Sequence, residues 1–360
     1  VSENDSGKSS PIKLNDLIAL NDELAALVRS GVPLDHGLKA LGRDRRGRVG
    51  KLATRLGDRL QQGASLDDAL AAERHALPGF YRAVVAAGIR SGKLSSAVEG
   101  LAVFARNFAE TRHAIGLALL YPLLVLILAF VLFTLFVLLV SPRYESAFEV
   151  FRLTPTWAMV GFVWLREHLI TWVPIVPLIV ILLLFWWRRT GRAATLQPGR
   201  MSGILRCVPG LGQILQQAQA ADFAQMLALL IDNQVPLPEG VMLSAGVTGS
   251  PKLQRFARDL SEGVSRGESL ATVTKGNTAL PAMLTWVLAT AESIGSLSPA
   301  LKHAAITYRA RAARQAEMLQ SVLPAVILLC VGALAAVLYT TSVLEPLFML
   351  WRGLAIPLNN

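Results

Sequence analysis

Side chains able to do chemistry are sparse in this chain, and their spacing assembles none of the usual centres. The histidines His36, His75, His113, His168 and His303 stand far apart, and none has a second His or Cys at metal-ligand spacing. Gly7-Lys8-Ser9 has the ending of a phosphate-binding loop, but that motif needs a glycine five positions before Gly7, and Ser2 stands there. There is no G-x-S-x-G elbow for a nucleophile and no G-x-G-x-x-G turn for a dinucleotide. Glu292 is an acid in a turn, where an exposed carboxylate at a helix end is the ordinary reading. The sequence therefore predicts no enzyme, no cofactor and no metal. What remains is two runs of cations, Arg43, Arg45, Arg46 and Arg48, and Lys252, Arg255 and Arg258. Such runs are either solvated faces or docking surfaces for an acidic partner, where charge speeds encounter and sets salt dependence.

The elements that carry these residues occur twice. Leu24 to Gly37 reads LAALVRSGVPLDHG, and Leu227 to Gly240 reads LALLIDNQVPLPEG, with seven of fourteen positions identical. Further pairs follow in order: Gly63, Ser65 and Leu66 with Gly267, Ser269 and Leu270; Gly92 and Leu94 with Gly295 and Leu297. A fixed separation of about 200 residues marks a repeated structural unit. Each copy leads into a long apolar run with a proline near its start, Pro122 or Pro324.

Within a copy the pattern is helical. Leu17, Leu20, Leu24, Leu27 and Val28 recur at three and four residues, as one buried face requires. Gly31 then ends the helix in a conformation glycine adopts cheaply, and Val32-Pro33-Leu34 opens the next, Pro33 needing no N–H there. In the second copy Val235 and Pro236 survive but the glycine does not, and Asn233 is expected to take the left-handed position. Ser65 is predicted to cap a helix whose first turn holds Asp67 and Asp68, where the macrodipole favours acids. Gly92 breaks the chain before a last helix that leads into the apolar run. Gly31 and Gly92 are thus assigned structural roles. Each copy is expected to be a six-helix, all-α bundle, over 15–113 and 188–317.

Composition places the chain in a membrane. It has 360 residues, 53% of them apolar, and a mean hydropathy of +0.46. Three uncharged runs, 114–140, 169–187 and 318–344, approach or exceed the roughly 20 residues of a spanning helix. Leu153 to Leu165 is too short to cross and is read as interfacial, within a loop over 141–168. Residues 1–113 hold 17 Lys and Arg against 13 Asp and Glu, and 188–317 hold 14 against 8. The 141–168 loop and the tail over 345–360 balance. Basic flanks stay cytoplasmic, which places both repeats inside and the loop and C-terminal tail outside. Two copies running outward need one returning helix between them, and 169–187 supplies it. The net charge of +10 then reflects attraction to anionic membrane lipid rather than nucleic acid. Cys207 and Cys330 fall in different compartments and form no disulfide. Residues 1–14 are read as a mobile polar tail with no signal peptide.

The doubled pattern LxxLVRSGVPLxxGL, GxSL, LPxFY and AAGxxSGxL resembles the type II secretion system F family, over roughly residues 15–349. That resemblance implies an inner-membrane, multi-pass platform of a type II secretion or type IV pilus machine. It implies two cytoplasmic domains, three spans and no catalysis. The partners it implies are a cytoplasmic hexameric ATPase, pilin-like subunits, other inner-membrane components and further copies of the chain in a homodimer or higher oligomer. Family members usually read G-E-x-S-G-x-L at the second turn. Here the first copy has Gly88, Ile89, Ser91, Gly92 and Leu94, while the second keeps Glu292, Gly295 and Leu297. Some members hold calcium through carboxylates including that Glu; Ile89 has no oxygen to offer a hard cation, so no calcium is expected. A repeat-built transporter is the competing reading, against which stand the lack of intramembrane charge and the size of the domains. The topology makes a direct prediction: in intact cells, an impermeant thiol reagent labels a cysteine placed at Ser146 and not one placed at Ser250. The reverse pattern would overturn the orientation.

Overall fold

The computed structural model describes residues 14–45, 47–150, 157–175, 177–178, 211–275 and 279–340, with a few isolated positions beyond. The polar tail to residue 13, Arg46, the stretch 179–210 that includes Cys207 and the end of the returning run, and the last nine residues lie outside the described ones. The described elements are helices. The first repeat comprises α1 (Leu14–Ser30), α2 (Leu34–Asp44), α3 (Arg48–Gln61), α4 (Leu66–Ala72), α5 (Gly79–Arg90) and the start of α6 (Leu94–Val150). Between the repeats lie α7 (Trp157–Glu167) and α8 (Leu169–Trp172). The second repeat comprises α9 (Leu211–Asp232), α10 (Leu237–Thr248), α11 (Pro251–Ser265), α12 (Leu270–Thr274), α13 (Ala282–Ile294) and the start of α14 (Leu297–Tyr339).

The chain divides into two compact units. One joins both repeats, residues 1–115 and 190–316. Its turns explain the repeated motif. At the end of α1 the Val32 N–H donates to Leu27 O at 3.2 Å and the Gly31 N–H to Val28 O at 3.4 Å, the paired bonds that close a helix on a left-handed residue. Gly31 has φ +66° and Gly92 φ +69°, and a Cβ on either would meet nothing within 4 Å. Backbone conformation, not crowding, therefore requires glycine at both. At the equivalent turn of the second repeat the left-handed residue is Gln234, φ 62°, with the Val235 N–H donating to Leu230 O at 3.0 Å. The expected role of Asn233 is thus corrected. Register places Gln234, not its neighbour, at the position of Gly31, and Asn233 is buried with its side-chain N–H on Leu229 O at 2.8 Å. Ser65 caps α4 by accepting from the Asp68 N–H at 3.1 Å, and Ser269 caps α12 from Thr272 at 3.3 Å.

Gly88 acts differently. A Cβ there would stand 2.6 Å from the Ala97 Cβ, so its lack of a side chain sets how closely α5 meets α6. The α2–α3 corner is tighter still, since a Cβ on Gly50 would stand 1.8 Å from Arg45 O. The core of the first repeat is built on Leu20, Leu38, Leu56, Val84 and Phe104, and it continues into the second repeat through Met226, Leu230, Val235 and Val247. A second cluster around Phe223, Phe256, Leu260, Leu288 and Tyr308 fills the second repeat.

The other unit holds residues 116–189 and 317–360. Here α6 runs on to Val150, ten residues past the end of the uncharged run, so much of the expected loop is helical. Glu145 and Arg166 pair at 2.9 Å between α6 and α7, and Trp172 of α8 meets the Phe130 and Phe133 rings at 5.9 and 6.1 Å. Among the described residues, α14 is the helix long and apolar enough to cross a membrane, with mean hydropathy 2.2 in its most apolar window. Leu123–Leu139 of α6 is a shorter apolar segment of 17 residues. Leu124, Leu128, Leu132, Leu328 and Leu329 are exposed. Pro324 lies inside α14.

Because the first core borrows side chains from the second repeat, the whole chain is the proper object for stability tests. A non-glycine residue in the left-handed region costs about 1–2 kcal/mol. Gly92→Val is expected to lower the melting temperature of the purified chain in detergent, and Gln234→Gly to raise it. An unchanged melting temperature for both would show that these turns do not carry the backbone strain described.

Candidate functional site

Three helices of the repeat unit, α6, α9 and α14, bring a polar cluster into an otherwise apolar junction. Each helix is held at this junction by buried neighbours of the cluster: Phe104 and Phe108 on α6, Phe223 on α9, and Ala305 and Tyr308 on α14. The cluster consists of Asn107 and Arg112, Asp222 and Gln225, and Arg309. The Arg309 guanidinium donates to Gln225 Oε1 and lies 3.9 Å from Asp222 Oδ1. Asn107 Nδ2 approaches the same Gln225 oxygen at 3.5 Å. Arg112 lies over the Phe108 ring, 4.2 Å from its centroid, a favourable cation–π placement.

Asp222 is the strained member. It is 7% exposed, and its Oδ1 accepts no hydrogen bond in the described structure. Burial pushes its pKa up to about 7, with Arg309 and then Arg112 pulling it back down. Burial likewise lowers the pKa of both arginines, Asp222 opposing the shift. The first copy is arranged differently at the matching positions. In the first copy Arg106 pairs with Asp22 at 2.7 Å on the surface. Their counterparts are Arg309 and Gln225, so the second copy has no acid at that register position. Its acid is Asp222, one turn earlier, where the first copy has Ala19. Among the described residues the cluster offers no nucleophile held by a base, and its chemistry is charge pairing across the joint between repeats.

The residues singled out in the sequence lie elsewhere. Gly31, Val32, Pro33 and Leu34 form the α1–α2 turn, with Val235 and Pro236 in the matching turn of the second repeat. Gly88, Ser91, Gly92 and Leu94 form the α5–α6 turn, where the Lys93 N–H donates to Gly88 O at 2.8 Å. Gly295, φ +67°, precedes α14, which starts at Leu297. Pro122 is within α6, and Glu292 is on α13 with its side chain outside the described ones. Ile89 is exposed, and no three His, Cys, Asp or Glu side chains among the described residues come together to hold a metal. A calcium site at this turn does not fit the residues present.

Arg43, Arg45 and Arg48 are exposed at the α2–α3 corner, and with Lys51 have no carboxylate within ion-pair distance among the described residues. Arg43, Arg45, Lys51 and Arg55 line one shallow cleft there. Arg55 is committed to structure, holding buried Glu73 through two bonds of 2.8 and 2.9 Å. Lys252, Arg255 and Arg258 are exposed on α11, the counterpart of α3. Neither basic run joins the buried cluster. Sequence reasoning passed over that cluster, although one signal was present: Asp222 is the only charged residue between Arg206 and Asp232.

The pH dependence follows from the direction of the shift. Between about pH 4, where an unfolded carboxyl ionises, and about 7, the folded chain holds a proton that the unfolded chain has lost. Stability from this group therefore falls as pH rises through that window and is flat above it. Asp222→Asn is expected to raise the melting temperature at pH 8 and to have a smaller effect at pH 5. A variant less stable at pH 8 would show instead that the ionised carboxylate is held favourably by Arg309 and Arg112.

Comparison with known proteins agrees with this doubled architecture. The model of the family "Type II secretion system (T2SS), protein F" matches twice, over residues 21–142 and 223–345. The Type II secretion system protein F of Vibrio cholerae is 25% identical over 299 residues, covering 82% of this chain and 72% of that protein. The Type 4 fimbrial assembly protein PilC of Pseudomonas putida is 28% identical over 346 residues, covering 93% and 84%. The Type IV pilus assembly protein PilC of Pseudomonas aeruginosa is 23% identical over 345 residues, covering 96% and 92%. With both repeats matched and most of each relative covered, the chain belongs to the type II secretion system protein F family.

Proposed function

We propose that this chain is the inner-membrane platform of a type II secretion or type IV pilus machine, a scaffold that couples a cytoplasmic assembly ATPase to the addition or removal of pilin-like subunits. The observation that carries this reading is the family match to both repeats, together with relatives named for secretion and for pilus assembly. Three spans at 114–140, 169–187 and 318–344 hold both repeats on the cytoplasmic side. The exposed leucines of α6 and α14 support contact with lipid, since side chains of this kind are expensive to leave in water. The scaffold works as a homodimer or higher oligomer and performs no catalysis of its own. Work therefore enters from the ATPase, and the exposed cations at the α2–α3 corner and on α11 form the docking surface for its acidic face.

Co-purification of the full chain with its cognate ATPase in mild detergent tests this. The expected result is a complex that dissociates with salt and is weakened by reversing Arg43, Arg45, Arg46 and Arg48 to Glu. Retention of full binding by the reversed variant would remove that corner from the interface. Absence of any complex, with the folded chain verified by its melting transition, would remove the coupling role.

A further inference from the structure

The two repeats pack head to tail. The α5–α6 face of the first repeat lies on the α9–α10 face of the second. A Cβ on Gly100 would stand 2.3 Å from Leu229 Cδ1, and one on Gly79 would stand 3.6 Å from Leu243 Cδ2. Ala83 packs into the same core. Small residues on the first repeat thus receive large ones from the second. Because the two faces differ, packing one pair of repeats leaves one copy of each face uncovered among the described residues: the α13–α14 face of the second repeat and the α1–α2 face of the first.

Those two free faces have exchanged their sizes. Where the first repeat has Gly79, Ala83 and Gly100, the second has Ala282, Trp286 and His303. Where the second repeat has Leu229 and Leu243, the first has Ala26 and Ala40, both exposed. On α13, Trp286 is 65% exposed and Met283 37%, large apolar side chains of the kind that mark an interaction surface. Glu23 replaces Met226 on the α1–α2 face and has no ion-pair partner among the described residues. The α13–α14 face carries exposed Arg311, whose guanidinium reaches Met283 Sδ at 3.7 Å.

We propose that the α13–α14 face of one chain docks on the α1–α2 face of a second copy, repeating between molecules the head-to-tail contact made within each one. This rests on the self-association stated under the proposed function and names its surface. Trp286 and His303 fill the room left by Ala26 and Ala40, so the knob and socket are reversed relative to the internal joint while the mode is kept. A heterologous contact of this kind joins copies in a closed ring or an open row, according to the rotation it imposes. Trp286 is the anchor, a residue type that dominates interface energetics when seated in a pocket.

The test uses the full chain in mild detergent, with Cys207 and Cys330 changed to Ser where cross-linking is read. Trp286→Ala is expected to raise the dissociation constant about 30-fold, the effect of an interface hot spot, with the melting transition retained. Ala26→Leu alone is expected to weaken association, and Ala26→Leu with His303→Gly to restore it, because that pair rebuilds the internal Leu229–Gly100 contact. Cysteines at positions 26 and 303 on different copies are expected to form a disulfide-linked dimer. An oligomeric wild type whose Trp286→Ala variant keeps its mass, and whose 26–303 cysteines do not link, overturns this surface and leaves self-association standing. A monomeric wild type overturns both.

Discussion

The burial of one repeat's face by the next is the contact on which the architecture of the repeat unit depends. Each repeat alone would expose part of its core, since Met226, Leu230, Val235 and Val247 complete the cluster built on the first repeat. The closeness of the contact rests on what is missing. Gly100 brings α6 up to Leu229 because it has no Cβ, and close packing of this kind is sensitive to single methyl groups. The joint therefore has one preferred seating, and the two repeats behave as one unit rather than two domains on a tether.

Around that joint the sequence spends its special residues on turns. Gly31 and Gly92 reverse the chain by backbone conformation, and Gly88 sets a spacing between neighbouring helices. These are separate physical demands carried by the same residue type. The second repeat keeps the turn but not the residue: Gln234 holds a left-handed φ of 62° because the surrounding packing, with Val235 buried behind it, outweighs a penalty of about 1–2 kcal/mol.

The polar cluster at the junction has the opposite character. Burial of Asp222 beside Arg309 and Arg112 is a poor source of stability, because desolvating charges offsets most of their attraction. What it offers is dependence on orientation and protonation at the place where the repeats meet.

Much of this was legible in the sequence. The repeat, the helical periodicity, the Ser65 cap and the glycine turns follow from local preferences that operate within a few residues, so they can be read without the fold. The family followed from the doubled motif. Some features were not legible. Asn233 looked like the left-handed residue because Asn tolerates that conformation, yet register decided for Gln234. Asp222, Arg112 and Arg309 are 110 and 87 residues apart in sequence, and only the crossing of α6, α9 and α14 makes them neighbours and removes their water. Likewise, Trp286 and Ala26 are unremarkable as residues. Their meaning depends on which face of each repeat the head-to-tail packing covers and which it leaves open, and that is decided by side-chain volume across a contact no local pattern encodes.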